Sequence, residues 1–520
     1  MKNKFMSALA AIELIKSGDT LAVAAVGLIG YPELLVRTLE EKYLAQQSPG
    51  GLTIVAGCGH GNWDHRGDSR FAHTGFVKRA VVTHPETVPP LRDMMVTGEV
   101  EGYVFPQGVM NQFFRSIAAK QPGIVSKIGL GTYIDPRQDG GRIHPSAEED
   151  LIELIELRGE EWLLFKAFPI NVALLRGTTA DEKGNISIEN EGVQLELIEL
   201  ASAVRASGGK VIVQVERIAK AGTLHPKSVK LPGVLVDAVV ICENVQVDHM
   251  QTAGTFYNPS FSGDLRVPMY QTAASSESLT AQDIIARRAL LEMRPGDIVN
   301  LGMGIPGAVL GSTAGKEGIL DDVTLTMELG LFGGQPAGWP DFGVSYNPEC
   351  IVGPATMFDF YHAGGLDIAF LGAAQVDEYG NVNVSKFGKR FCGTGGFIDI
   401  SQSTPKVVFC TNFNIGLEAE VANGQLIITK EGKVPKFVDN VMQISFNGPL
   451  ASRQNRDITY ITERCVFKLI EGKVFLTEIG PGIDLEKDIL QQMKFRPIIS
   501  SKLKIMDGRI YQQGRMNCFA

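Results

Sequence analysis

One acidic side chain, Glu328, stands at the end of an apolar run, 323–327, and is followed by a glycine-rich stretch, 330–338. The apolar run is typical of a buried strand, and glycines let a backbone approach a bound ligand closely. A carboxylate in such a place suits nucleophilic catalysis through a covalent intermediate. A strand-end glutamate in a solvated turn is the alternative interpretation, and its own surroundings do not decide between the two.

The elements around Glu328 belong to a unit that occurs twice in the chain. Both halves contain, in the same order, a helix, a Gly-Asp turn, an apolar strand and a glycine turn. These are 7–16, 17–19, 20–26 and 27–32 in the first half, and 280–293, 294–297, Ile298–Leu301 and 302–307 in the second. Thr280 and Asp283 form a capping pair that predicts the start of the second helix.

A second pattern, Asp-x-x-Gly-Asn, follows an apolar strand in each half. It begins at Asp181 after strand 170–175 and at Asp377 after strand 366–371. Two motifs repeated in the same order predict a duplicated α/β domain, with chance recurrence of turn chemistry as the alternative. The predicted fold is therefore two similar, open α/β/α domains with mostly parallel sheets. They span 1–260 and 280–520 and are joined by a linker, 261–279, rich in Ser, Thr, Pro and Gly.

Composition excludes several classes of protein. The net charge of −9 and the pI of about 5.5 disfavour binding to nucleic acid, which needs a basic surface. The seven cysteines show no C-x-x-C spacing, so neither a zinc site nor a redox motif is indicated. Dispersed cysteines of odd number predict reduced thiols in the cytoplasm. No apolar run reaches the ~18 residues that a membrane span needs.

Three other motifs suggest chemistry less strongly. Gly302-x-Gly304-x-x-Gly307 matches a dinucleotide fingerprint, but Pro306 occupies its turn. His60, Asp64 and His65 could suggest a metal, but their spacing is not that of a helical ligand pair, and a structural or ligand-covering loop is favoured. In the glycine cluster 390–397, Cys392 is a rival nucleophile that no neighbouring histidine or asparagine supports. Consecutive amides of that cluster could bind an anion.

A glutamine follows a short strand-like pair in the first half. Gln107 lies in Pro-Gln-Gly directly after Tyr103-Val104 and Phe105. A plain turn is one interpretation. A side-chain amide held at a strand end can instead donate to a developing oxyanion.

Together these motifs resemble those of the family I CoA-transferases, in particular the single-chain acetate or propionate CoA-transferase group. The residues that carry the resemblance are spread over nearly the whole chain. They are Gln107, 129–137, 223–229, 302–306, Glu328 with Gly330, 358–361, 393–399 and 460–464. The family usually has a small polar residue where this chain has Leu329, which leaves the nucleophile intact and leaves the acyl preference open.

The resemblance implies a function and a set of site residues. It implies transfer of CoA from a short-chain acyl-CoA to a short-chain carboxylate (acetate, propionate, butyrate or acetoacetate). Glu328 would be the nucleophile, Gln107 an oxyanion donor, and the Gly395 and Gly396 amides further oxyanion donors. Substrate-binding positions would be Gly302, Met303, Gly304, Ile305, Gly330, Gly393 and Thr394. Coenzyme A is implied as part of the substrate, with no tightly bound cofactor, no metal, and a homo-oligomer, dimer or tetramer.

Other functions remain open on the residues alone. A nicotinamide-dependent oxidoreductase would use the Gly302 turn, and NAD binding would reveal it. A thioester hydrolase would release CoA without an acceptor carboxylate. An acyl-CoA sensor would need no nucleophile, so Glu328 and the oxyanion candidates speak against it.

Overall fold

The computed structural model describes residues 4–268 and 279–519, so residues 269–278 of the predicted linker lie outside the described residues. Contacts divide the chain into two compact units. The first contains Met1–Val267, Glu328–Asp359 and Phe387–Asp399, and the second contains Pro268–Met327, Phe360–Lys386 and Ile400–Ala520. The sequence-based boundaries assign Glu328–Asp359 and Phe387–Asp399 to the C-terminal domain, whereas by contacts both segments belong to the first unit.

The α-helices that the structure describes are 4 to 14 residues long. The α-helices are α1 (Ala8–Ile12), α2 (Glu33–Gln46), α3 (Pro89–Thr97), α4 (Gln107–Ala118), α5 (Leu197–Ala206), α6 (Val245–Asp248), α7 (Pro259–Ser262), α8 (Ala281–Leu290), α9 (Gly311–Glu317), α10 (Pro354–His362), α11 (Phe397–Ser403) and α12 (Gly448–Arg453). Capping at α8 follows the prediction, because Thr280 and Asp283 form a reciprocal capping box.

A seven-stranded parallel sheet is the centre of the first unit. Its strands are β1 (Thr20–Val23), β2 (Leu52–Ala56), β3 (Val77–Val82), β4 (Glu101–Val104), β5 (Val172–Arg176), β6 (Lys210–Val215) and β7 (Ala238–Ile241). They lie in the order β7-β6-β5-β1-β2-β3-β4. Central strands such as β5 are buried along their whole length. Such strands read as continuous apolar runs, because both faces of a parallel sheet are covered.

The second unit contains a mixed sheet. Its strands are β8 (Ile298–Leu301), β9 (Thr324–Met327), β10 (Ile368–Gly372), β11 (Lys406–Cys410), β12 (Asp457–Ile461), β13 (Cys465–Ile470), β14 (Lys473–Ile479) and β15 (Ile498–Ile505). They pair in the order β9-β8-β10-β11-β12-β13-β14-β15, parallel as far as β12 and antiparallel at β12-β13 and β13-β14.

Five strands repeat the same order in the two units. In the first unit β2-β1-β5-β6-β7 are adjacent and parallel. In the second unit β9-β8-β10-β11-β12 are adjacent and parallel. In each unit the strand that comes first in the chain lies second in this order. The chain is thus an α/β protein with mostly parallel sheets and two units of similar topology, as the sequence predicts.

The Asp-x-x-Gly-Asn turns also have matching hydrogen bonds. The Asp181 carboxylate accepts from the backbone and the side-chain amide of Asn185, at 2.9 Å each. The Asp377 carboxylate accepts the same two bonds from Asn381, at 3.0 Å each. An aspartate that binds the backbone two and four residues on fixes a tight turn. Repetition of the whole network supports an internal duplication.

Further strands occur in each unit. In the first unit these are Gly123–Ser126, Ile152–Leu157, Glu160–Lys166, Thr179–Asp181, Ile186–Ser187, Arg217–Ala219, Val229–Leu231, Leu331–Phe332, Gln335–Pro336, Ser345–Tyr346, Cys350–Ile351 and Arg390–Phe391. In the second unit they are Gln375–Val376, Val382–Asn383, Asn414–Ile415, Glu418–Ala422, Gln425–Lys430 and Val434–Pro435, and Lys386–Phe387 spans the boundary of the two units. Within the described residues, no helix has the length and apolar character that crossing a membrane requires.

A partly buried ion-pair network ties α8 to the sheet of the second unit. The Arg288 guanidinium binds Glu292 at 2.9 Å and Glu478 at 2.8 Å, and the Lys406 ammonium binds Glu292 at 2.7 Å. Burial alone would raise the pKa of Glu292, but the charges of Arg288 and Lys406 outweigh it and lower the pKa from 4.5 to about 2. The ionised carboxylate is therefore stabilised in the folded state.

We expect Glu292→Gln to lower the free energy of unfolding at pH 7 by about 2–3 kcal/mol, because two cations lose their buried partner. A carboxyl group whose pKa is lowered by folding stabilises the folded state at pH values above its unfolded-state pKa. This stabilisation is lost as the pH falls through the folded-state pKa. The difference from the parent should therefore close between pH 4.5 and about 2. Urea unfolding followed by circular dichroism measures it, with exposed Glu420→Gln as the control. A difference independent of pH would contradict the ion-pair account.

Candidate active site

Loops that follow the carboxyl ends of β1 to β4 form one edge of the first unit's sheet. Gly27 lies in the loop after β1, Gly57 and Cys58 follow β2, His84 lies after β3, and Gln107 lies after β4. In open α/β sheets ligands bind at the carboxyl ends of strands. The side chains at this edge are therefore the first candidates for an active site.

Gln107 is the first residue of α4 and only 2% exposed. Its backbone N–H donates to the Gly395 carbonyl oxygen at 3.0 Å. Its side-chain Oε1 lies 3.4 Å from the point where a Cβ on Gly395 would stand. One helical turn on, Asn111 Nδ2 donates to the Gln107 carbonyl oxygen at 2.8 Å. The structure thus brings together two of the site residues that the sequence indicates.

The glycine turn at 393–396 is buried and held by the strand end of β3. The backbone N–H groups of Thr394 and Gly395 donate to the Thr83 carbonyl oxygen at 3.3 and 3.0 Å. Because the Gly395 N–H is engaged in this way, it does not face an oxyanion, which revises the expectation that both glycines donate. Within the described chain no backbone acceptor takes the Gly396 N–H, and this amide remains a candidate donor.

Glycine is required at position 393, and a tyrosine holds its neighbour. The φ of Gly393 is +72°, and a Cβ there would lie 2.7 Å from the Thr83 carbonyl oxygen. The hydroxyls of Tyr133 and Thr394 lie 3.1 Å apart. These contacts fix the path of the turn beside Gln107.

Cys392, the rival nucleophile, is a poor one in this setting. Burial raises the pKa of its thiol from 9.0 to about 12, and the negative charge of Glu86 adds to the effect. Glu86 itself is paired with Arg390 and, at 2.8 Å, with Arg92. A thiol with so high a pKa has almost no thiolate at neutral pH, and the thiolate is the reactive form.

Glu328 is half-buried and begins the segment Glu328–Asp359 of the first unit. It opens a turn in which Gly330 has φ +100°, a conformation that L-residues rarely adopt. A Cβ at Gly330 would lie 1.9 Å from the Val352 carbonyl oxygen, while the Val352 N–H donates to the Gly330 carbonyl oxygen at 2.8 Å. The glycine of the Glu-x-Gly motif is therefore needed to direct the chain after Glu328.

Leu329 lies between these two residues and belongs to the apolar interior. It is 1% exposed. Its Cδ1 and the Cδ1 of Ile29 lie 3.3 and 2.7 Å from the position of a Cβ on Gly343. The leucine therefore packs beside the loop after β1, where a small polar side chain would leave a cavity.

Cys58, in the loop after β2, is affected by the negative charge of Glu328. Burial raises the pKa of the Cys58 thiol above its usual value, and the negative charge of Glu328 raises it further. The thiol therefore stays protonated, and the Glu328 carboxylate lies near enough for its charge to act on it. The charge of Glu328 therefore acts on the loop that contains Cys58.

His84 was not singled out from the sequence. Its Cβ lies 3.8 Å from the Cβ position of Gly395, and its Cδ2 lies 3.3 Å from that of Gly59. Burial lowers the pKa of His84 from 6.5 to about 4, so the imidazole is neutral at pH 7. Its position two residues beyond a buried apolar strand, β3, is the one sequence signal that indicates it.

Glu196 was also missed by the sequence interpretation. It precedes the first residue of α5 and is 2% exposed. Burial raises its pKa from 4.5 to about 7, opposed by the charge of His60. An isolated glutamate in a helical sequence has no local pattern that marks it as buried.

The loop with His60, Asp64 and His65 has no metal-like geometry. Asp64 binds the Arg66 guanidinium at 2.9 Å, and His60 Nδ1 lies 3.2 Å from Asp68 Oδ2. Among the residues that the structure describes, no group of three potential ligands could hold a metal ion. The interpretation as a structural loop fits these contacts.

The predicted binding positions Gly302, Met303, Gly304 and Ile305 lie in the second unit, directly after β8. Met303 is 45% exposed, and Gly304 has φ +87° with open space around its Cβ position. The turn leads into a π-helix, Pro306–Leu310, and then into α9. Its exposed backbone can meet a ligand.

A half-buried carboxylate, a buried glutamine and a buried glycine turn lie in the first unit, with the glutamine at the carboxyl edge of a parallel sheet. Comparison with known proteins shows the family to which this arrangement belongs. A model of the coenzyme A transferase family matches residues 5–241. A caffeate CoA-transferase of Acetobacterium woodii is 46% identical over 515 residues, covering 98% of either chain.

Acetate CoA-transferase YdiF of Escherichia coli K12 is 41% identical over 514 residues, 98% of this chain and 96% of that one. A crystal structure of the acyl-CoA transferase YdiF of E. coli O157:H7, in a thioester complex with CoA, superposes with a TM-score of 0.93 at 40% identity. It covers 99% of this chain and 97% of that one. The chain belongs to the coenzyme A transferase family and is a CoA-transferase.

Proposed function

We propose that the enzyme transfers CoA from a short-chain acyl-CoA to a short-chain carboxylate, with Glu328 as the nucleophile. The observation that carries the proposal is that Glu328, Gln107 and the 393–396 turn belong to one compact unit. Cys58, whose thiol responds to the charge of Glu328, follows a strand of the sheet edge that also bears Gln107. The thioester form of the related YdiF supports a covalent CoA intermediate.

The first half of the reaction forms two covalent intermediates. The Glu328 carboxylate attacks the thioester carbonyl, the C–S bond breaks, and a mixed anhydride forms while CoA leaves as thiolate. The thiolate then attacks the glutamyl carbonyl of the anhydride. A glutamyl-CoA thioester results, and the first carboxylate is released. A second carboxylate reverses these steps and leaves as the new acyl-CoA.

The reaction requires oxyanion donors and no general base. Carboxylates and thiolates are already charged nucleophiles, so no proton has to be removed from them. Negative charge develops on the carbonyl oxygen at each step, and preorganised donors lower such barriers. We assign this role to the Gln107 side-chain amide and the Gly396 N–H. The neutral His84 imidazole beside this turn excludes water without adding charge.

CoA binding is proposed for the three glycine-containing turns that the resemblance implies. These are Gly302, Met303, Gly304 and Ile305 in the second unit, and Gly330, Gly393 and Thr394 in the first. Backbone N–H groups at glycine turns suit phosphate and carboxylate oxygens. We further propose that the enzyme is a homo-oligomer, either a dimer or a tetramer, and that it is located in the cytoplasm. Light scattering tests the oligomeric state, and cell fractionation tests the location.

Trapping the intermediate tests the proposed function directly. The enzyme is incubated with acetyl-CoA, treated with borohydride, digested, and mapped by mass spectrometry. Borohydride reduces a glutamyl thioester to the alcohol, and we expect that change at Glu328. Reduction at another residue, or none with full transferase activity, would refute the proposal. Release of CoA without any acceptor carboxylate would indicate a hydrolase.

We expect Gln107→Ala to lower kcat about 100-fold, because losing one oxyanion donor costs about 3 kcal/mol of barrier. The KM for the acceptor carboxylate should change little. Steady-state kinetics with acetate and propionyl-CoA measure both constants. Gln112→Ala is the matched control, since Gln112 lies on the same helix and binds Asp359 at 2.7 Å. An effect confined to KM would mean that Gln107 only binds substrate.

A further inference from the structure

Glu196 has a position that a structural role in its helix does not explain. It occupies the N-cap of α5, yet its side chain makes no capping hydrogen bond. The preceding residue, Leu195, has φ +56°, which is rare for a side chain of this kind. Strained backbone of this type costs about 1–3 kcal/mol and persists where the surroundings require it. The carboxyl group that follows this residue is buried.

Two buried oxygens face the same point beside Gly57. Glu196 Oε1 lies 2.2 Å, and Asn111 Oδ1 3.6 Å, from where a Cβ on Gly57 would stand. Across the part of the chain that the structure describes, neither oxygen has a hydrogen-bond partner. Two buried acceptors without a donor are costly, at about 1–3 kcal/mol each. A single proton on Glu196 would satisfy both, because a protonated carboxyl donates, directly or through one water.

Asn111 links this pair to the reaction site. Its Nδ2 donates to the carbonyl oxygen of Gln107 at 2.8 Å. Both residues lie on the first turn and a half of α4, and Gln107 N–H holds the Gly395 carbonyl oxygen at 3.0 Å. A hydrogen bond from Glu196 would therefore fix the amide of Asn111 and, through it, the start of the helix that presents Gln107.

We infer that Glu196 is a positioning residue that works as a neutral carboxylic acid: it donates to Asn111, and its ionisation switches the site off at alkaline pH. The inference rests on the proposed function, in which the acceptor substrate is an anion. An ionised Glu196 would lose the donor to Asn111. It would also add a second negative charge near Glu328, which repels an incoming carboxylate.

The groups around Glu196 determine where this change occurs. His60 and Cys58 face it from the loop after β2, and Glu199 lies one turn along its own helix. Arg115 of α4 faces Glu199 at 3.3 Å. Charges of both Glu196 and Glu328 act on the Cys58 thiol. Burial and Glu199 favour the neutral form of Glu196, while His60 favours the ionised form, so the pKa is raised to about 7.

The test is the pH dependence of kcat/KM for the acceptor carboxylate between pH 5.5 and 9. The parent enzyme should lose about tenfold per pH unit above the pKa of Glu196. Glu196→Gln keeps a donor for Asn111 but cannot ionise. We expect it to stay within about threefold of the parent at pH 6 and to lack the alkaline decline. Parallel profiles of the two enzymes would overturn the inference.

A second variant keeps the inference testable if Glu196→Gln folds poorly. Glu199→Gln removes the neighbouring charge that favours the neutral form, so the alkaline decline should move to lower pH. An unmoved decline would overturn the inference as well. Borohydride trapping at Glu328 is run on every variant. Trapping with an unaltered pH profile refutes the role of Glu196 alone, whereas absence of trapping in the parent refutes the proposed function.

Discussion

Replacing Glu328 with alanine should abolish CoA exchange between acyl-CoA and free carboxylate, with kcat/KM reduced by about 10⁴-fold or more. Removing a covalent nucleophile costs this much because what remains is binding and oxyanion stabilisation alone. Folding should be unaffected, because the Glu328 side chain is half-buried at a turn and its removal leaves no cavity in the core. Exchange of labelled acetate into acetyl-CoA measures the residual rate sensitively.

Glu349→Ala serves as the control for Glu328→Ala. Glu349 is an exposed glutamate of the same segment, Glu328–Asp359. Its replacement should leave the exchange rate within about twofold of the parent. Near-normal transferase activity in Glu328→Ala would refute the mechanism, whatever the fold of the variant.

Replacing Gly330 with alanine should unfold or displace the turn that follows Glu328. The new Cβ would lie 1.9 Å from the Val352 carbonyl oxygen, and the backbone has φ +100°. A backbone atom cannot yield as a flexible side chain can, so we expect a loss of about 3 kcal/mol or more in the free energy of unfolding. Transferase activity should fall with it, because Glu328 loses its position.

Tryptophan fluorescence during urea unfolding measures this loss of stability in the first unit, which contains Gly330. All three tryptophans, Trp63, Trp162 and Trp339, lie in the first unit, as Gly330 does. Gly338→Ala is the matched control, because nothing lies within 4 Å of its Cβ position. The control should stay within about 0.5 kcal/mol of the parent. Equal stabilities of the two variants would contradict the steric argument.

Local patterns in the sequence predict much of the fold. The strand Ile298–Leu301 is found as predicted, since an apolar run between turns has clear ends. Helix ends are predicted less well. The predicted helix 7–16 is shorter in the structure, where it spans Ala8–Ile12. Helix ends fray and depend on the geometry of the capping residues, which a pattern of apolar residues does not contain.

The sequence indicates some residues of the candidate site and misses others. Glu328 and Gln107 stand at strand ends, and strand ends are visible in the sequence. Glu196 and His84 were missed because burial by distant segments gives them their properties. The engagement of the Gly395 N–H by Thr83 is likewise a contact between residues far apart in the chain. No spacing rule reveals which amide of a glycine turn is already bonded.

The discontinuous first unit has a consequence for synthesis of the protein. Its last stretch ends at Asp399, well after the continuous part ends at Val267. A ribosome that adds about 5–20 residues per second needs on the order of ten seconds to cover that interval. During this interval the first unit is incomplete, because Glu328 and then the 393–396 turn have still to be synthesised. A chain released early lacks the 393–396 turn, whose Gly395 carbonyl oxygen accepts the Gln107 N–H in the complete unit.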